Sequence, residues 1–308
     1  MDNFFIHFVL CNITIDLFVL ILLCMKRIFK HCLTPRMQFN LWIPFTFSLF
    51  VPFLPVSFST LSTKMRDLFH PLAHFSHAVH TTNTSEYTSS STNQIYDYAI
   101  SMRTQFPAYI STIFCVIWGI GMFVMLFSFV RSLVLLHHMR RTANLMQDKR
   151  IHDIYMTCLS ELQLRKSIPL YSSSIIDTPV STGILRPAIF LPLHRISNFE
   201  EQEIRYILLH ELMHCYYKDA IFNYCMNIIR ILYWFHPLIW LITKEFYTER
   251  ELACDTSVLR LLGANEQISY GVTLLHFVDK QTNTPLSLLN NLSENAKQMK
   301  RRILNIKQ

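Results

Sequence analysis

Two histidines one helical turn apart, with a glutamate between them, are the residues of this 308-residue chain best suited to chemistry. His210, Glu211 and His214 form H-E-x-x-H inside "YILLHELMHCYYKD". Residues four apart share a helix face, so both imidazoles can be offered to one ion. Glu211 lies beside them, placed to take a proton from an attacking water. A hydrolytic zinc site also needs a third protein ligand and an open position. A histidine six residues after His214 would supply one common answer, but that position is Ala220. A carboxylate from a later helix is the other. "YTERELACDTSVLRLLG" predicts a helix ending near Gly263, on which Glu251 and Asp255 are four apart and share a face. Glu251 reads as a third ligand. Asp255 reads as the group that accepts the free N–H of a ligating histidine and fixes its tautomer. A solvated acidic face that includes Glu249 explains the same spacing equally well.

Such a motif works on a helix that follows a strand. "STGILRPAIFLP" (181–192) reads as a turn and then a short strand, and an extended substrate could add to the edge near Ala188–Leu191. "SNFEEQEIRYILLHELMHC" opens a helix, with Asn198 as N-cap and Glu201 at the capping-box position. Between His214 and Glu251 runs the apolar "AIFNYCMNIIRILYWFHPLIWLIT" (220–243). A single membrane crossing of about 24 residues would hold the two ligands ~30 Å apart, on opposite faces. Asn223, Asn227 and Arg230 interrupt the run, and His236-Pro237 should break the helix. A bent hairpin on or dipping into the cytoplasmic face keeps both ligands on one side and makes the site juxtamembrane.

Composition fits that placement. The chain is 51% hydrophobic and 16% charged, has five glycines, and its mean hydropathy is +0.25. Soluble globular proteins carry more charge and glycine than this. Segments at about 4–25, 39–58 and 107–130 are long and apolar enough to span a bilayer. The basic flanks "KRIFKHCLTPRMQ" and "RSLVLLHHMRRTANLMQDKR" belong in the cytoplasm. The N-terminus then starts outside, residues 59–106 form an external loop, and everything after Arg131 is cytoplasmic. That loop carries His70, His74, His77 and His80 at helical spacing, read as a solvated amphipathic turn rather than a metal face. Residues 1–141 are therefore a membrane region and 142–308 one soluble domain. The +7 formal charge is placed as membrane-flanking residues, not as a nucleic-acid surface. Eight cysteines without a C-x-x-C pair indicate neither a disulfide framework nor a thiolate zinc site.

"HELMHCYYKD", "NYCMNIIRILYWFHPLIW" and "TERELACD", in this order, resemble the antirepressor metallopeptidases of Gram-positive bacteria, the β-lactam sensor-transducers. The resemblance covers nearly the whole chain. It implies a mainly α, multi-span helical membrane protein whose cytoplasmic gluzincin-like zinc-peptidase domain contains a small β-sheet. It implies zinc held by His210, His214 and Glu251, with Glu211 as catalytic base. The expected action is on the chain itself and on a cytoplasmic DNA-binding repressor of antibiotic-resistance genes. The expected partners are the lipid bilayer, that repressor and a second copy of the chain in a homodimer. Family members continue into a fourth span and a penicillin-binding sensor, whereas this sequence stops at "AKQMKRRILNIKQ". It holds no S-x-x-K, S-D-N or K-T-G, so covalent β-lactam capture is not expected. "QMKRRIL" (298–304) reads as a basic membrane flank. No oxyanion-stabilising group stands out; Tyr247, Tyr270 and Arg205 are the side chains considered. A general quality-control metallopeptidase and a non-signalling remnant stay open as alternatives.

Overall fold

The computed structural model describes residues 2–29, 33–50, 108–164, 166–174, 176–279 and 292–306. The chain divides into two compact units, 1–17 with 47–120 and 18–46 with 121–308. In the first unit the described residues are the opening of helix α1 (Asp2–Ile28), residues 47–50 and the opening of α4 (Ala108–Thr142). Residues 59–106, expected to form an external loop with four histidines, lie outside the described residues.

The second unit holds all the candidate site residues. The last residues of α1 lead to two short helices, α2 (Pro35–Asn40) and α3 (Trp42–Ser48). Of the expected span 39–58, residues 39–48 form the end of α2 and all of α3 with a break at Leu41, 49–50 form a turn, and 51–58 lie outside the described residues. Thr34 caps α2 and Pro35 starts it, as the fixed proline φ favours. After α4 come β1 (Asn144–Leu145), α5 (Lys149–Glu161), β2 (Leu170–Ser172), β3 (Val180–Thr182) and β4 (Ala188–Leu191). A short helix α6 (Leu193–Ile196) precedes α7 (Glu201–Tyr216), α8 (Asp219–Leu232) and α9 (Pro237–Leu262). A 3-10 turn at Ala264–Glu266, α10 (Gln267–Asp279) and α11 (Leu292–Ile306) complete the unit.

Residues 112–142 of α4 form a helix long and apolar enough to cross a membrane. Its apolar side chains face outward, Ile117, Phe123 and Phe127 being 56, 68 and 64% exposed. Surface of that kind is stable only against lipid or another apolar face. Gly121 lets α4 approach the α8–α9 turn, since a Cβ there would lie 2.1 Å from the Trp234 ring. Phe129 meets Tyr224 of α8 edge-on, centroids 6.2 Å apart, so α8 follows α4 for more than two turns.

The four strands lie in the order β1-β2-β4-β3, with β2 and β4 parallel and the other pairs antiparallel. All four β4 residues are buried, which explains the uninterrupted apolar run. This position corrects the expectation that a substrate could add beside Ala188–Leu191. Strand β4 is hydrogen-bonded on both sides and has no free edge, whereas β3 pairs only with β4 among the described residues. Gly183 turns the β3–β4 hairpin at φ +100°, where a Cβ would fall 2.4 Å from the Arg186 carbonyl oxygen.

The core joins the sheet to α5 and α7. Ile151, Tyr155, Cys158 and Leu159 recur on one face of α5 and are buried. The Tyr155 hydroxyl donates to the Ile168 carbonyl (2.5 Å) and accepts from its N–H (2.9 Å), so a buried phenol anchors the chain entering β2. Helix α7 is buried on nearly every side from Ile204 to His214. Its cap is a capping box of Glu200 and Glu203, two residues later than the Asn198–Glu201 pair that the sequence suggested. Arg205 donates to both Glu161 oxygens (3.0 Å each) and to Glu266 (2.8 Å), joining α7, α5 and the 3-10 turn.

Candidate metal centre

Helix α7 delivers His210, Glu211 and His214 to the lining of a cavity of about 780 Å³, and α9 adds Arg250 and Glu251 beside them. The break predicted at His236-Pro237 makes this possible. Helix α8 ends at Leu232, three turn residues follow, and α9 restarts with Pro237 in its first turn. Trp240 donates its indole N–H to the Trp234 carbonyl (2.8 Å) and Arg230 stacks 4.3 Å from the Trp240 ring, which pins the bend. The apolar 220–243 hairpin thus returns Glu251 to the histidines.

The Nε2 atoms of His210 and His214 are 3.2 Å apart. Glu251 places Oε2 3.3 Å from His210 Nε2 and Oε1 3.7 Å from His214 Nε2. Ligands of a tetrahedral zinc ion, each about 2.0–2.1 Å from the metal, sit roughly 3.3 Å from one another.

The tautomers agree with this spacing. Asp219, the first residue of α8, accepts from His214 Nδ1–H at 2.7 Å. The Tyr270 hydroxyl donates to Asp255 Oδ1 at 2.7 Å, which leaves its oxygen to accept from His210 Nδ1–H at 3.0 Å. Both Nε2 atoms therefore face each other and a carboxylate, an arrangement that needs a positive charge between them, whether protons or a metal ion. Burial alone would push both imidazoles toward the neutral form. The acidic groups around them, Cys254 first, outweigh that and hold both well above the usual histidine range. Burial would likewise raise the Glu251 carboxyl, but Arg250 and the two histidines hold it well below its usual range. The field at this point favours cations, and the donor set fits a zinc-like dication.

Cys254 is the competing third donor. Its Sγ and one nitrogen of each histidine lie within 4.8 Å of one another. The thiol is 3.5 Å from His210 Nδ1, however, the nitrogen already engaged by Tyr270. Glu251 faces the Nε2 atoms of both rings, whereas the contact of Cys254 with His210 is at Nδ1.

Asp255 is fully buried and lies 3.4 Å from His210 Nδ1, with Tyr270 bridging them more closely. The expected contact between Asp255 and a site histidine is thus present but is made largely through the tyrosine hydroxyl. Tyr247 and Arg205 do not line the cavity; Arg205 is spent on Glu161 and Glu266. Sequence reasoning missed three contributors: Asp219 behind His214, Arg250 donating to Glu251 Oε1 at 2.6 Å, and Arg302 from α11. A carboxylate five residues beyond the second histidine was the only visible signal for Asp219. Nothing in the spacing of "QMKRRIL" distinguished Arg302 from the other cations.

Strand β3 closes the cavity, with Val180, Ser181, Thr182 and Gly183 along its lining. Strand β3, His210, Glu211, His214 and Glu251 thus border one space.

Comparison with known proteins is consistent across the chain. The family profile described as BlaR1 peptidase M56 matches residues 6–306. The regulatory protein BlaR1 of Bacillus licheniformis is 29% identical over 99% of this chain and 51% of its own length. The methicillin resistance mecR1 protein of Staphylococcus aureus (strain Mu50 / ATCC 700699) is 25% identical over 78% of this chain and 40% of its own. The Staphylococcus aureus regulatory protein BlaR1 is 23% identical over 94% and 48%. The chain spans about half the length, or less, of these relatives.

Proposed function

The chain belongs to the BlaR1 peptidase M56 family, and from that premise we propose that it is a membrane-bound zinc endopeptidase of gluzincin type acting as an antirepressor. The observation that carries this reading is the close approach of His210 Nε2, His214 Nε2 and the Glu251 carboxylate, at 3.2–3.7 Å, on a cavity wall shared with Glu211. His210, His214 and Glu251 hold the metal, and Asp219, Tyr270 and Asp255 hold the ligands in orientation. When bound, the ion supplies Lewis-acid polarisation of the scissile carbonyl and the attacking water. Glu211 accepts the water's proton and returns one to the leaving amine. The edge of β3 pairs with the main chain of an extended substrate segment and lays it across the cavity.

In this reading residues 1–141 form the membrane region, with spans over 4–25, 39–58 and 107–130 and the N-terminus outside. Residues 142–308 form the cytoplasmic peptidase domain, and the 220–243 hairpin sits beside α4 at the membrane. The names of the relatives, a BlaR1 regulator and a methicillin resistance protein, support a regulatory substrate: a cytoplasmic repressor of resistance genes, or the chain itself. The test is co-expression with a candidate repressor, comparing wild type with Glu211→Ala. Repressor loss and self-cleavage are expected only with the wild type; equal behaviour of the two refutes the peptidase reading. Zinc content separates the ligand assignment from catalysis: Glu251→Ala should lose the metal, while Glu211→Ala should keep it.

A further inference from the structure

Helix α11 is the last described element, and its basic face does not all meet solvent. Arg302 turns inward, with 11% of its side chain exposed, and reaches two carboxylates on α9. Its Nε and Nη2 donate to Asp255 Oδ2 and Oδ1, both at 2.8 Å, a bidentate pair. Its Nη1 lies 3.5 Å from Glu251 Oε2, the oxygen that faces His210. One guanidinium therefore bridges the two acidic residues that share a face of α9. Asp255 is wholly buried and its carboxyl is held well below the usual range, with Arg302 the leading charge that overcomes the burial. Tyr270 donates to that same carboxylate and accepts from His210. Loss of the guanidinium would leave an uncompensated buried anion at the root of this relay.

We propose that Arg302 is a positioning residue of the metal centre, and that docking of α11 completes the site. The proposal rests on the metallopeptidase reading above. Arg302 acts through its partners: it fixes Asp255, hence Tyr270 and the His210 tautomer, and it backs the oxygen of Glu251 that meets His210. The rest of α11 docks through ordinary contacts. Arg301 pairs with Glu245 at 2.8 Å on the exposed side, and Asn305 donates to Thr256 at 3.2 Å. Ile303 and Ile306 lie over Gly271 of α10. Lysine at 302 would keep one charge but could not hold both Asp255 oxygens and approach Glu251 together.

The test uses the full chain in detergent, with wild type, Arg301→Ala, Arg302→Lys and Arg302→Ala. Zinc affinity is measured by chelator competition, the cobalt-substituted protein by its visible absorption, and activity by self-cleavage. Arg302→Ala should weaken metal binding or cleavage by about 10- to 100-fold, the range for removal of groups that orient metal ligands. It should also change the cobalt spectrum, and methylguanidinium should restore part of the loss. Arg302→Lys should fall between Arg302→Ala and wild type, and Arg301→Ala, which removes only an exposed ion pair that adds little to docking, should match wild type. If Arg302→Ala does not fold, Arg302→Lys decides: wild-type affinity and spectrum overturn the proposal. Wild-type metal binding, spectrum and cleavage in Arg302→Ala overturn it directly. A wild-type chain that takes up no zinc and cuts nothing refutes the underlying metallopeptidase reading instead, so the two failures are distinguishable.

Discussion

Lys26 and Glu249 form a buried ion pair between the end of α1 and the middle of α9, two residues before Glu251. Their side chains are 8% and 10% exposed, and Glu249 also accepts from the Trp42 indole N–H at 2.6 Å. The Lys26 ammonium lies 3.9 Å from the Trp42 ring centroid. Lys26→Met removes the cation and leaves Glu249 in place with a single neutral donor. Breaking one side of a buried pair costs about 3–5 kcal/mol. The indole hydrogen bond and the added methionine packing offset part of that, so a loss of about 3 kcal/mol is expected. For a domain of this size, that corresponds to a melting temperature lowered by roughly 6–12 °C. Replacing both residues, as Lys26→Met with Glu249→Gln, removes the stranded charge and keeps an acceptor for Trp42. The double variant should recover most of the loss, giving a coupling energy in the upper part of the roughly 0.5–3 kcal/mol range seen for residues in contact. The assay is thermal unfolding of the purified chain in detergent, completed as a double-mutant cycle. A single variant within about 1 kcal/mol of wild type, with no coupling in the cycle, would sink the claim that this pair ties α1 to the ligand helix.

Three further outcomes follow from the geometry. Asp219→Asn keeps the shape but removes the carboxylate that orients His214; zinc affinity should drop about 10- to 100-fold, measured by chelator competition, and an unchanged value would show that the tautomer is fixed otherwise. Burial raises the Glu266 carboxyl, but Tyr206 and Arg205 more than offset it and hold it below the usual range. Its contribution is therefore fully present above the unfolded carboxylate value and lost as pH falls through the lower folded one. Glu266→Gln should flatten that part of the acid limb of the stability curve, read by denaturant unfolding at a series of pH values. Burial pushes the Cys158 and Cys215 thiols up to about 12; at pH 8 both should resist iodoacetamide until the chain is unfolded, as peptide mass mapping would show.

The helix that carries His210 and His214 was legible in the sequence because its signals are local. The two histidines need only a helix to share a face, and the approach of Glu251 to them follows once His236-Pro237 is taken as a bend rather than a crossing. The apolar run of β4 was equally visible, but its neighbours were not: strand order depends on contacts that no single segment encodes. Edge addition was therefore expected at β4, which is paired on both sides, whereas β3 pairs only with β4 among the described residues. The groups that steady the ligands were the least visible. Asp219 and Arg302 are polar residues in polar surroundings, and their role appears only once α8 and α11 have been placed against α7 and α9. Membrane character was readable from composition, and α4 carries it openly. The break at Leu41 was not foreseen, since Phe39, Trp42 and Phe45 look like lipid-facing residues but are buried; the rings of Phe39 and Trp42 pack on Phe246.

In the proposed reading, the edge of β3 left unpaired among the described residues has a kinetic consequence. A strand edge reads amide and carbonyl groups that every polypeptide possesses, and three residues offer little side-chain discrimination. A folded target has already committed those groups to its own helices and sheets. Cleavage of such a target would then be limited by how often a segment opens, and its rate would scale with the local unfolding equilibrium of the victim. Selection would lie in the partner's loosest segment and in its nearness to the membrane, more than in any short consensus around the cut.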